Sequence, residues 1–198
     1  MYTMLVLVTL LAYFIGSIAS AIVVCRIFRL PDPRLAGSQN PGATNVLRLG
    51  GKKAGLYTFL GDFLKGLLPL LVLKLFGVSP LVMAFAGLGL FFGHLYPVYF
   101  QFKGGKGVAT YVGILFAWHW MLGVAFAITA LIVFKLFRRV SLLSLVGALV
   151  TVMNAWVLVE DPAIKIAILM MSIWIFIRHR SNIVRLVQNT EPPIGATS

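Results

Sequence analysis

Acidic residues and cysteine are both scarce in this 198-residue chain. Five Asp and Glu residues stand against 17 Lys and Arg residues, so the net charge is +12, and only 11% of the residues are charged. An average soluble domain is about 25% charged, so this composition is typical of a membrane protein. The single cysteine, Cys25, excludes a disulfide within the chain.

Several catalytic signatures are also missing. The sequence has no His-Glu-x-x-His motif and no cysteine cluster, so we expect neither a metal ion nor another cofactor. The Gly-x-Ser-x-Gly motif of serine hydrolases is absent too. None of the three histidines is followed five residues later by Asp, which excludes the His-x-x-x-x-Asp pair that many thioester-dependent acyltransferases carry.

Apolar sequence, in contrast, fills most of the chain, and 60% of the residues are hydrophobic. A bilayer core of about 30 Å needs roughly 20 apolar residues per helix. We therefore predict an all-α integral membrane protein, a compact bundle of seven transmembrane helices that forms a single domain, residues 1–187. The predicted spans are 2–28, 53–76, 80–100, 108–120, 121–137, 142–159 and 163–177. Residues 188–198 are polar and are predicted to form a disordered tail.

The fourth and fifth spans are the least distinct pair, because residues 108–137 can also be read as one long kinked helix. Thirty residues are long for one crossing. His119 lies between Trp118 and Trp120, a pattern typical of the membrane interface. We therefore predict a turn at His119.

The positions of the basic residues predict how the bundle is oriented in the membrane. With seven spans, fourteen of the 17 Lys and Arg residues fall in connections or ends on one side. Basic loops mark the cytoplasmic side, so we expect the amino terminus outside and the carboxyl terminus in the cytoplasm. We expect no nucleic-acid binding, because that would need a solvent-facing groove lined by aromatic residues, and the Phe residues lie in apolar runs.

The first polar segment, residues 32–48, combines hydroxyl, amide and glycine groups with two arginines. Such donors suit an oxyanion-rich ligand, and Arg can bind phosphate with two parallel hydrogen bonds. The same residue types also favour turns, so a plain turn-rich loop is an equal alternative. The candidate ligands in it are Ser38, Asn40, Gly42, Thr44, Asn45 and Arg48.

The second polar segment, residues 102–110, carries Gly104, Gly105, Lys106 and Gly107, and its residues 103–107 are called the glycine segment below. A predicted helix starts directly after it, and the positive end of that helix would face the same point. These features predict a phosphate site, although the spacing is not that of a Walker motif. The alternative is a flexible basic loop.

The third polar segment, residues 178–185, places His179 and Asn182 three residues apart, on one face of a continuing helix. A basic end to the last span is its alternative interpretation. Ser144, close to the same membrane level, is a further candidate, with packing as its default role. Within the spans, Asp62 and Lys65 lie one turn apart, and His94 is equally consistent with packing or catalysis.

Taken together, these motifs are similar to those of the bacterial acyl-phosphate:glycerol-3-phosphate acyltransferases, the PlsY family. The resemblance rests on residues 37–45, 61–66, 93–97, 102–110 and 178–185, which match the family's signatures in order and over most of the chain. One difference is Ala19, where the family usually has proline.

The resemblance implies a seven-helix fold and transfer of an acyl group from acyl phosphate to glycerol 3-phosphate. The products are lysophosphatidic acid and phosphate, in the first acylation of phospholipid synthesis. It implies Ser38, Arg48, Lys106 and His179 as catalytic residues, and the other candidates as substrate ligands. We expect a monomer in the bacterial inner membrane, surrounded by lipid, with its site on the cytoplasmic face.

Because acyl phosphate is already activated, no protein nucleophile is required, and positioning and charge stabilisation can supply most of the acceleration. Either His179 or a substrate phosphate can accept the hydroxyl proton. A transporter of a small phosphorylated anion is the alternative function, but its sites would lie at mid-bilayer, commonly on paired repeats. A lipid-binding scaffold is a further alternative, and it would give no reason for the ordered Ser, Asn, Thr and Gly pattern.

Overall fold

The computed structural model describes residues 2–194, and all regular elements in that range are helical. The all-α prediction is therefore confirmed. The helices are α1 (Tyr2–Gly16), α2 (Ser20–Ile27), α3 (Ala43–Leu75), α4 (Pro80–Leu95), α5 (Val108–Trp118), α6 (Trp120–Phe137), α7 (Val140–Leu158), α8 (Pro162–Arg178) and α9 (Arg180–Val187), with a 3-10 turn at Val98–Phe100.

Five segments between residues 2 and 194 are long and apolar enough to cross a membrane: Tyr2–Ile27, Ala43–Leu75, Pro80–Phe100, Trp120–Phe137 and Val140–Leu158. A sixth is formed if α8 and α9, which are bent by 61° at His179, count as one broken span. The remaining apolar helix, α5, has 11 residues and a length of about 16 Å, shorter than the bilayer core. Seven crossings therefore stay a prediction.

Breaks in the helices have local causes. Gly51 interrupts α3 with φ 75°, a left-handed conformation that glycine adopts without strain. His119 is extended and ends α5, so the predicted turn between the two tryptophans is present. The first span breaks at residues 17–19, and within that break Lys65 donates to the Ile18 carbonyl at 2.7 Å.

Close helix pairs hold the bundle together. α1 packs against α4, α3 against α5, and α6 against α7. A side chain at Gly93 would collide with the backbone at Tyr13, and one at Gly113 with the backbone at Phe63. Small residues thus let these helices approach closely, as in other membrane bundles.

Apolar side chains also cover much of the outer surface of the helices. Leu11, Ile128, Leu131, Trp156 and Ile173 are all more than a third exposed. In water such a surface would be unfavourable, whereas lipid tails solvate it. The exposed apolar surface and the long apolar helices agree with a membrane protein.

The described part of the carboxyl-terminal tail, residues 188–194, folds back onto the bundle. The Glu191 carboxylate is buried, and the Ile194 amide donates to the Arg138 carbonyl at 2.9 Å. The disordered tail predicted for residues 188–198 therefore has ordered contacts as far as residue 194. Its last part, residues 195–198, lies outside the described residues.

Candidate active site

The glycine segment lies between the end of α4 and the start of α5. The Gly104 amide donates to the Leu95 carbonyl at 3.2 Å, which ties the segment to α4. Gly107 has φ 86° and forms the N-cap of α5, a left-handed position suited to glycine. A side chain at Gly104 would collide with the carbonyl oxygens of His94 and Leu95. Glycine is therefore required at 104 for close approach and at 107 for backbone conformation.

A chain of hydrogen bonds links the glycine segment to α9 and the tail. The Lys106 ammonium donates to Asn182 Oδ1. The Asn182 amide donates in turn to Glu191 Oε1 at 2.7 Å. Glu191 also accepts from the Ser141 hydroxyl and the Arg185 guanidinium, each at 2.7 Å. Residues from the glycine segment, α7, α9 and the tail thus meet in one polar cluster.

The charges in this cluster act on one another. Burial lowers the pKa of the Lys106 ammonium to about 8; Glu191 opposes this effect, and Arg185, Arg178 and Arg48 add to it. Burial tends to raise the pKa of the Glu191 carboxyl, but hydrogen bonds from its partners lower the pKa below its usual range. At neutral pH the cluster therefore holds an ammonium and a carboxylate.

His179 lies at the bend between α8 and α9 and is buried. Its Nδ1 is 2.8 Å from the Ile175 carbonyl oxygen. Because a carbonyl cannot donate, Nδ1 must carry the hydrogen, and in the neutral ring Nε2 is then the atom with a lone pair. The ring can accept a proton only at Nε2.

Asn45 organises the first polar segment rather than facing an open site. The Ser38 amide donates to its Oδ1 at 2.9 Å, and its Nδ2 donates to the carbonyls of Pro33 and Ala36 at 2.9 and 3.0 Å. The residue is 1% exposed. These contacts favour a positioning role for Asn45 instead of the predicted role as a substrate ligand.

The two arginines of the first segment differ in their surroundings. Arg34 forms an ion pair with Asp32 at 2.7 Å and donates to the Phe100 carbonyl at 3.3 Å. The hydrogen bond from Arg34 holds the pKa of the Asp32 carboxyl below its usual range. Within residues 2–194, Arg48 has neither an ion pair nor a side-chain hydrogen bond, and its charge acts on Lys106. Arg48 is thus the arginine available to a ligand.

The remaining predicted residues are divided between the site and the packing. Ser38 is exposed, whereas Asn40, Gly42 and Thr44 are partly buried at the start of α3. The first segment reaches the glycine segment, since a side chain at Gly105 would lie 2.9 Å from the Pro41 carbonyl oxygen. Ser144 is buried and donates to the Val140 carbonyl at 2.9 Å, a contact within its own helix that fits the packing alternative.

The predicted site residues did not include Glu191, Ser141 and Arg185 of this cluster, or Arg178 beside it. Glu191 and Ser141 come from segments with no motif, the first in the tail and the second at the start of α7. Arg178 donates to the carbonyls of Gly104 and Gly105 at 2.9 and 3.1 Å, and its guanidinium carbon lies 5.6 Å from the centre of the Tyr96 ring. The sequence does carry one signal for Glu191, because it is one of five acidic residues in a chain with 17 Lys and Arg residues.

A second polar cluster lies between the helices. Asp62 forms an ion pair with Lys65, with 2.9 Å between Oδ1 and Nζ, and the same Oδ1 is 3.5 Å from His94 Nδ1. All three residues are buried. Lys65 thus neutralises Asp62, as the sequence suggested, and His94 joins the pair while its Nε2 faces Gly105.

The arrangement suits anion binding at one end of the bundle. Among the described residues, the amides of Gly105, Lys106 and Gly107 have no acceptor, and they precede the amino terminus of α5. Free amides, a helix amino terminus and an ammonium are groups that phosphate sites in proteins commonly combine. The donor set contains no group of His, Cys, Asp or Glu side chains suited to a metal ion within residues 2–194.

Comparison with known proteins shows which family the chain is similar to. The family model for glycerol-3-phosphate acyltransferase matches residues 6–189. The glycerol-3-phosphate acyltransferase of Methylococcus capsulatus is 49% identical over 185 residues, 93% of each chain. That of Halorhodospira halophila is 48% identical over 193 residues, 97% of this chain and 98% of its own.

Solved structures are similar over nearly the whole chain. The crystal structure of PlsY, an integral membrane glycerol 3-phosphate acyltransferase, in its glycerol 3-phosphate form has a TM-score of 0.91, with 38% identity and 96% of both chains covered. Its lysophosphatidic acid form has a TM-score of 0.89, with 36% identity over 96% of this chain and 95% of that one. The extent of these matches shows that the chain belongs to the glycerol-3-phosphate acyltransferase family.

Proposed function

We propose that this protein transfers an acyl group from acyl phosphate to a hydroxyl of glycerol 3-phosphate. The products are lysophosphatidic acid and inorganic phosphate, and the reaction is the first acylation of phospholipid synthesis. The observation that carries the proposal is the glycine segment, whose free amides lie beside the Lys106 ammonium at one end of a lipid-exposed bundle.

In this reaction the glycerol hydroxyl oxygen bonds to the acyl carbonyl carbon. The bond between that carbon and the phosphate oxygen breaks, and phosphate leaves with the bonding electrons. The hydroxyl proton passes to His179 Nε2 or to a substrate phosphate oxygen. Phosphate is a good leaving group, so holding the two substrates in contact supplies much of the acceleration.

Residue roles follow from the groups that each segment offers. Lys106 and the amides of the glycine segment would hold one phosphate. Arg48, Ser38 and Asn182 would bind the second phosphate or the oxyanion that develops on the acyl carbonyl. Asn40, Gly42 and Thr44 would line the same side. Because these groups come from one chain, we propose a monomeric enzyme.

The orientation in the membrane is part of the proposal. The glycine segment, α9 and the 138–139 turn all carry excess positive charge, which favours the cytoplasmic side of a bacterial inner membrane. In that arrangement the amino terminus lies outside, and α5 is the short fourth of seven membrane segments. Cys25 is the one cysteine, so single cysteines placed on a Cys25→Ser background would map each loop by its accessibility to a charged thiol reagent.

The direct test of the function measures phosphate release and lysophosphatidic acid formation by the purified protein without added metal. Glycerol 3-phosphate is supplied with either palmitoyl phosphate or palmitoyl-CoA. We expect phosphate and lysophosphatidic acid with the acyl phosphate and no product with the thioester. Turnover with the thioester alone would overturn the donor assignment, and a folded protein inactive with both would overturn the function.

A further inference from the structure

The orientation of the glycine segment is set at its carbonyl oxygens. In a trans peptide unit the carbonyl and the following N–H point in opposite directions. The carbonyls of Gly104 and Gly105 both point at Arg178, at 2.9 and 3.1 Å. The amides of Gly105 and Lys106 belong to the same two peptide units, so they point away from Arg178. Arg178 thereby determines the direction in which these two amides can bind an anion.

The side chain of Arg178 is well suited to this contact. One terminal nitrogen reaches both carbonyls, and the planar group packs on the Tyr96 ring with the guanidinium carbon 5.6 Å from the ring centre. Stacking on an aromatic ring and donation in a fixed plane are properties that lysine does not share. Arg180, two residues later, is exposed and has no side-chain contact of this kind within residues 2–194.

A second group restricts the segment at Gly105. A Cβ atom at this position would lie 2.5 Å from His94 Nε2, so any side chain would displace either the ring or the segment. The ring cannot move freely, because Asp62 lies 3.5 Å from its Nδ1 and is itself paired with Lys65 at 2.9 Å. The second polar cluster of Asp62, Lys65 and His94 thus holds in place the imidazole ring against which Gly105 packs.

We propose that Arg178 is a positioning residue that turns the amides of Gly105 and Lys106 toward a substrate phosphate, with His94 as the surface behind the segment. This inference rests on the proposed role of the glycine segment in phosphate binding. Arg178 acts through the backbone of the segment and not as a phosphate ligand of its own. Its loss should therefore weaken binding of one phosphorylated substrate far more than it slows the chemical step.

The test compares Arg178→Met and Arg178→Lys with Arg180→Met as the matched control. KM for glycerol 3-phosphate, KM for acyl phosphate and kcat are measured separately on monodisperse protein of known unfolding temperature. We expect Arg178→Met to raise one of the two KM values by about tenfold to fiftyfold, with kcat within about threefold. Arg178→Lys should recover only part of this loss, and Arg180→Met should behave as wild type.

Gly105→Ala gives an independent check, because it displaces the segment without removing a charge. We expect it to raise the same KM, and the double variant Arg178→Met/Gly105→Ala to be little worse than the poorer single variant. Wild-type KM values in Arg178→Lys would show that charge alone matters and overturn the inference, as would a fall in kcat at unchanged KM. If Arg178→Met does not fold, the KM values of Arg178→Lys and Gly105→Ala decide whether Arg178 has the positioning role. An inactive wild type would instead refute the proposed function.

Discussion

The Lys106 ammonium donates a hydrogen bond to Asn182 Oδ1, so residues 76 positions apart in the sequence share one contact. The side-chain amide of Asn182 donates a hydrogen bond to Glu191, and this contact connects the glycine segment to the tail. A ligand that binds Lys106 therefore meets an ammonium whose position is set by α9. This relationship makes Lys106 the first residue to change.

Replacing Lys106 with methionine should remove most of the activity. The ammonium is the one side-chain cation of the glycine segment in contact with α9, and methionine keeps much of its volume. Loss of a preorganised charged donor costs about 100- to 1000-fold in rate, and we expect a fall in kcat/KM of this order in the phosphate-release assay. Lys103→Met, at an exposed position three residues earlier, is the control and should stay near wild type. A folded Lys106→Met enzyme with half its activity would contradict the assignment.

The pKa of Lys106 predicts a loss of activity at alkaline pH. Burial lowers this pKa to about 8, so the ammonium is charged below pH 8 and becomes neutral as the pH rises through that value. Phosphate monoesters have their second pKa near 6 and are fully ionised by then. We expect kcat/KM to fall above about pH 8. Lys106→Arg, if active, keeps its charge and should lack this fall; an identical profile in that variant would assign the titration to another group.

The sequence predicted the apolar helices well because the membrane requires long apolar segments. Most of the predicted ends lie within a few residues of the observed ones. The break at Gly51 was not predicted, since glycine alone does not reveal a positive φ. Helix α5 is shorter than the bilayer core, and composition does not show how such a helix is accommodated.

The sequence indicates a candidate site where a short motif brings the groups together locally, and that site stays a prediction. The glycines around Lys106 precede a helix, and that order alone indicated an anion site. The roles of Asn45, Arg178 and Glu191 depend on partners from other segments, so no spacing rule could reveal them. Asn45 was assigned to substrate because amides suit phosphate, but its amide is engaged by loop backbone instead.

Asn45→Ala should destabilise the first polar segment. The change removes three hydrogen bonds and leaves the Pro33 and Ala36 carbonyls and the Ser38 amide without that partner. Each unsatisfied buried group costs about 1–3 kcal/mol. We expect the unfolding temperature in detergent to fall by several degrees, as ~1 kcal/mol corresponds to ~2–4 °C in a protein of this size. Asn40→Ala is the control and should leave the unfolding temperature unchanged. Equal unfolding temperatures of the two variants would return Asn45 to the role of a substrate ligand.

Glu191 offers a way to separate the charge of the tail from its hydrogen bonds. Glu191→Gln keeps an oxygen that can accept from Ser141 and Asn182 but removes the negative charge beside Lys106 and Arg185. Because that charge raises the Lys106 pKa, its loss should shift the alkaline fall in kcat/KM to lower pH. Glu191→Ala removes all the contacts and should lower the unfolding temperature further than Glu191→Gln.

The control is Glu160→Gln, which removes the same charge at an exposed position beyond α7. It should change neither the pH profile nor the unfolding temperature. If Glu191→Gln left the pH profile in place while Glu191→Ala lowered stability, the tail would act only as a structural tie. A shift in the profile with little loss of stability would instead show that Glu191 sets the charge of Lys106, and hence the pH range in which the glycine segment can bind its anion.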